Sequence, residues 1–189
     1  MLSKLHGFFV LLAIIESLTQ IGGHRDFRVY FTSVSTKSFS TEVKLNSTVD
    51  TAAGSISLHI NVLTNIFKPY LLALAYTDSG NDRYELELFN STIDLCMFWE
   101  NNQYEPLLQI AVKLLKKQMD GFLAGRCPIR KRLYSMKDVV INPDVFPHTM
   151  PEKKAFIQLT FMSKDDSYFK NLGMHSGYVR IERIHKTKL

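Results

Sequence analysis

Cysteine is scarce in this chain: only Cys96 and Cys127 occur among 189 residues, which allows at most one internal disulfide. Motifs that carry chemistry are missing as well. A serine hydrolase of the common kind needs G-x-S-x-G at a strand-to-helix turn, and Gly54-Ser55 does not supply it. A zinc protease needs H-E-x-x-H on a helix, but His24, His59, His148, His175 and His185 are isolated, so each reads as a surface or internally satisfied histidine. Cys127-Pro128-Ile129-Arg130 is not a C-x-x-C redox pair, and there is no glycine loop to cradle phosphate. Asp78, Asp82, Glu85 and Glu87 fall in a turn and along one strand face, where solvent exposure is the default. The expectation is a non-enzymatic protein with no cofactor and no metal. A membrane-spanning run is also lacking. The most continuous apolar stretch, Phe8 to Ile15, falls well short of the ~20 residues needed to cross a bilayer.

That stretch follows a short basic start at Lys4 and precedes small and polar residues, which is the layout of a secretory signal peptide over residues 1–23. The expected mature protein, residues 24–189, is the size of one domain. Export into an oxidising compartment favours a Cys96–Cys127 bridge, with two buried thiols or an intermolecular bond as the alternatives. Asn46-Ser47-Thr48 and Asn90-Ser91-Thr92 fit the N-glycosylation pattern, making Asn46 and Asn90 candidate acceptors. The formal net charge is +5, with basic residues densest at Arg126 to Arg132 and Arg180 to Lys188. Such runs are usually solvated faces, and an exported protein is not expected to meet nucleic acid.

Most of the chain is patterned as strands. Ile56, Leu58, Ile60 and Val62 alternate with Ser55, Ser57, His59 and Asn61, and only a strand puts every second residue on one side. Phe27, Val29 and Phe31 repeat the pattern over Asp26–Val34, followed by a polar turn region from Ser35 to Ser40 and a weaker strand over Thr41–Val49. Asp78 to Asp82 is a turn signal that makes Leu71–Tyr76 and Tyr84–Leu88 a hairpin, whose second arm continues through Ile93 and Leu95 to Cys96. Further strands are expected at Leu133–Ile141, Ala155–Met162 and Gly177–Ile184. Between the first two of these, Pro143, Pro147 and Pro151 mark an extended loop. The one amphipathic helix starts near Pro106 and carries Leu107, Leu108, Ile110, Ala111, Leu114, Leu115 and Phe122 on one face. Seven to nine short strands and one helix specify a mainly β fold: an antiparallel immunoglobulin-like β-sandwich or open β-cup.

The segments F-N-S-T-I-D-L-C-M-F-W (Phe89–Trp99), E-P-L-L (Glu105–Leu108) and C-P-I-R-K-R-L-Y (Cys127–Tyr134), with the later Pro147…Met150-Pro151, resemble a family of insect secreted proteins of unknown function. That family is commonly likened to ML lipid-recognition domains and ganglioside-activator proteins, and it includes CheB-type chemosensory proteins associated with pheromone detection. The similarity runs from about Leu72 to Ile184. It implies a sandwich holding a lipid or hydrocarbon between its sheets, with Cys96 and Cys127 at family cysteine positions. Many members carry further cysteines near the mature N-terminus, and Asp26 to Ile66 has none. The expected function is therefore secreted binding of a small hydrophobic ligand, in a chemosensory setting. Inward-looking candidates for its lining are Phe98, Trp99, Leu115, Phe122 and Phe161, each equally readable as core. The competing expectation is a secreted interaction module with a filled core, acting on a membrane receptor or another extracellular protein.

Overall fold

The computed structural model describes residues 27–101, 126–141 and 152–184. The expected signal peptide, the expected amphipathic helix over 106–122 and the proline-rich stretch 142–151 lie outside the described residues. The elements in order are β1 (Phe27–Ser38), β2 (Val43–Asp50), β3 (Ser55–Val62), β4 (Pro69–Asp78), β5 (Tyr84–Asp94), helix α1 (Leu95–Asn101), β6 (Arg132–Val139), β7 (Lys153–Asp165) and β8 (Tyr168–Arg183). They form two antiparallel sheets, one ordered β1-β8-β7-β4-β5 and the other β2-β3-β6. The expected antiparallel β-sandwich is what the described chain forms.

Alternation explains which faces meet. On β3, Ile56, Leu58 and Val62 are buried and Ile60 is half-buried, and all four point toward the large sheet. On β8, Val179 and Ile181 pack with Phe27 and Val29 of β1, and the same parity carries Gly177, His175 and Gly173 onto the inner face. Three clusters pack between the sheets. The largest joins Val43, Val62, Ile66, Ala73, Ile93, Leu95, Phe98, Ile129, Tyr134, Phe161 and Leu172 at the α1 end. A second sits on β1 and β8 at the opposite end, and a third joins Ile56, Leu58, Met136 and Val139 of the small sheet.

Cys96 and Cys127 form a disulfide with Cα atoms 5.5 Å apart. It binds the start of α1 to the segment in which Ile129 and Ile66 exchange backbone hydrogen bonds of 2.9 Å. Closing the 31-residue separation stabilises the fold by about 3–4 kcal/mol in the chain-entropy model.

Three boundaries differ from the sequence reading. Residues 35–38, expected as turn, continue β1, because their backbone pairs with β8 down to Ser38 opposite Gly173. The arm expected to reach Cys96 as a strand stops at Asp94. The Asp94 carboxylate accepts hydrogen bonds from the Cys96 and Met97 N–H groups at 2.9 and 3.1 Å, an N-cap that starts α1. Finally, β8 begins at Tyr168 rather than Gly177, since residues 168–176 pair along β7 and β1 despite their polar composition.

Two glycines let the sheets approach. A Cβ at Gly173 would lie 2.5 Å from Leu45 Cδ1, so Leu45 of the small sheet seats directly on β8. Gly54, at the β2–β3 turn, has φ +69° and lies where a Cβ would meet Tyr30 Cβ of β1 at 2.7 Å. A β-carbon on Tyr30 cannot swing away as a side-chain tip can. Gly54→Ala combines left-handed strain with overpacking, and urea unfolding should show a loss of about 2–4 kcal/mol. An unchanged midpoint would mean that the small sheet is not held against β1 at this point.

Candidate functional site

The inner face of the large sheet can be read row by row from its register. One row runs Thr36, His175, Leu159, Ala73 and Ser91 across β1, β8, β7, β4 and β5. The next runs Val34, Gly177, Ile157, Ala75 and Phe89. Strand β7 is the middle strand of this sheet, yet its inward residues Ala155, Ile157 and Leu159 are only half-buried. Ala75 and Phe89 are half-buried too, and Leu86, beside Thr77, is 54% exposed. On the inner face of the small sheet, Leu45 and Ile60 are half-buried as well. Inward side chains of a central strand in a filled sandwich lose nearly all contact with solvent. Here the middle of the interior retains accessible apolar surface.

The sequence nominates five side chains as lining. Phe98 and Phe161 are buried in the cluster at the disulfide end, and Trp99 packs against it. Leu115 and Phe122 lie outside the described residues. The inward positions that stay half-buried are others: Leu159, Phe89, Ile60 and Leu45, packed at the margin of the largest cluster, and Ile157, at the margin of the one on β1 and β8. Alternation alone could have nominated them, but it does not tell a packed inward residue from an accessible one.

One functional candidate was missed. His175, expected to be at the surface or satisfied, is 9% exposed, and neither ring nitrogen has a hydrogen-bond partner. The signal was present: Val179 and Ile181 set a period of two that runs back through Gly177 to His175. Ser47 Oγ, on β2, is also buried without a partner. His59 is different: it faces outward on β3, with Nδ1 3.0 Å from Ser135 Oγ.

The outer surface carries the charge. Arg126, Arg130, Lys131 and Arg132 are exposed, in keeping with a solvated face, and Arg132 lies over the Tyr134 ring at 4.3 Å. Glu182 joins Arg28 at 3.2 Å and Arg180 at 2.8 Å. Hydrogen bonding from Tyr30, with help from both arginines, holds its carboxyl below the usual range. Asn46 and Asn90 are both exposed, Asn90 donating to Glu87 at 3.2 Å.

A family model described as a protein of unknown function (DUF1091) matches residues 71–154. The match covers most of β4, then β5, both cysteines, β6 and the start of β7, and it includes all four segments on which the sequence resemblance rests. No curated protein matches the chain.

Burial pushes the His175 imidazole from 6.5 down to about 4. Between those values the unfolded chain takes up a proton that the native protein refuses, so stability is complete above pH 6.5 and falls as pH drops toward 4. The full span corresponds to a loss on the order of 3 kcal/mol. Urea unfolding at pH 7.5 and 4.5 should show a loss of about 2–3 kcal/mol attributable to this group, and His175→Phe should remove most of it. A slope that is the same in the variant would contradict the burial of a neutral imidazole.

Proposed function

We propose that the protein is an exported, non-enzymatic binder of a small hydrophobic ligand, a lipid or hydrocarbon held between its two sheets. The observation that carries this reading is the partial exposure of Ile157 and Leu159 on the middle strand of the large sheet, together with that of Ile60 and Leu45 on the inner face of the small one. Burying apolar ligand surface there gains about 25 cal/mol per Å², or about 0.8 kcal/mol per methylene. A long acyl or alkyl chain therefore needs few polar contacts.

Export is supported by the signal-peptide pattern of residues 1–23, by the disulfide, and by two sequons whose asparagines are exposed for glycosylation. The resemblance to a family likened to ML-type lipid-recognition domains, and including CheB-type chemosensory proteins, agrees with a carrier of a lipid or hydrocarbon. A second reading is an interaction module that acts on a receptor or another extracellular protein through its surface. Phe67, 71% exposed, favours it, lying beside Cys96 with Met97, itself 59% exposed, next to that cysteine.

Native mass spectrometry of the secreted, deglycosylated protein separates the two. The binder should carry lipid or hydrocarbon at near one molecule per chain, released by solvent extraction. Protein that arrives empty and also fails to take up a fluorescent fatty-acid probe would refute the binding reading and leave the surface one.

A further inference from the structure

Among the described residues, two polar side chains on the strands have buried atoms without a hydrogen-bond partner. His175 has two ring nitrogens and Ser47 one hydroxyl, all buried and none partnered. They lie on opposite sheets. Strand β1 runs antiparallel to β8, and β2 turns back from the end of β1, so β2 and β8 run in the same direction. Leu45 of β2 seats on Gly173 of β8. Two residues further along each strand come Ser47 and His175, both on the inner faces, in the next layer of the same interface. An unsatisfied buried polar group costs about 1–3 kcal/mol, so two of them in one layer of the interface call for a partner.

We propose that His175 and Ser47 form a polar anchor that hydrogen-bonds the hydroxyl head group of a long-chain amphiphile lying between the sheets. This rests on the binding reading above and specifies the chemistry of its ligand. A neutral imidazole presents one N–H donor and one acceptor nitrogen, and the serine hydroxyl can be either. A hydroxyl also donates and accepts, so it matches both groups at once. The inner faces of β2 and β8 near the anchor carry Val43, Leu45, Val49, Gly173, Gly177 and Val179, none of them cationic. A carboxylate would therefore enter without a counter-charge, which is costly in an apolar interior. The tail extends from the anchor along Leu159 and Ile157, the half-buried residues of the adjacent strand.

The test uses the full secreted chain, stripped of lipid, with a bound fluorescent naphthylamine probe displaced by 1-dodecanol and by dodecane. The ratio of the dodecane Kd to the dodecanol Kd isolates the hydroxyl from the tail. It should fall about tenfold in His175→Phe and several-fold in Ser47→Ala, while dodecane binds as well or better, since one hydrogen bond of about 1.4 kcal/mol is a factor of ten. His175→Gln, which keeps a donor and an acceptor, should retain most of the ratio. Ser47→Ala removes a single oxygen and leaves Asn46-x-Thr48 intact as a sequon, so it decides the matter if His175→Phe fails to fold. An unchanged ratio in both variants would overturn the anchor and leave apolar binding standing. Wild-type protein from which neither compound displaces the probe would overturn the binding reading itself.

Discussion

The described fold depends on a mismatch between its two layers. Among the described residues a five-stranded sheet faces a three-stranded one, so the strands of the small sheet cover only part of the large one. The sheets are pinned together on the β1 and β8 side, where Leu45 seats on Gly173 and Tyr30 presses on Gly54. At one end α1, locked by the Cys96–Cys127 bond, fills the gap with Leu95 and Phe98. Away from these closures the inward rows become more accessible, from buried Val179 and Phe161 to half-buried Ile157 and Phe89 and exposed Leu86. Apolar surface left open in this way is costly in water and is what an apolar ligand would cover.

The same geometry gives His175 its character. On an outer face its imidazole would titrate freely in water. On the inner face, between Thr36 and Leu159, it is desolvated and held neutral. A neutral ring with two unmet hydrogen-bonding atoms is a burden in a filled core but a recognition element beside a ligand. Stability and binding thus pull on one residue in opposite directions. Replacing it by an apolar ring relieves the first at the expense of the second.

Much of the fold was legible in the residues. The β3 alternation placed its inner and outer faces correctly, and the Asp78–Asp82 signal marked the β4–β5 hairpin, where Gly80 has φ 123°. What was missed has physical causes. The stretch Ser163 to Ser176 is polar and reads as loop, but its backbone is claimed by long-range pairing between β7 and β8, which local composition does not report. The passage from strand to helix at Asp94 turns on a single side chain accepting two N–H bonds. The interior could be predicted only as a set of inward positions. Which of them remain accessible depends on how far the smaller sheet reaches, and that emerges only when the two layers are placed together.

The most direct measurement is diffraction from crystals grown with 12-bromododecan-1-ol, using the anomalous signal of bromine to find the tail. The account predicts one bromine peak between the sheets on the Ile157 side, with the hydroxyl end toward His175 and Ser47. Side chains of the two sheets in contact along their whole length, with no bromine between them, would contradict it.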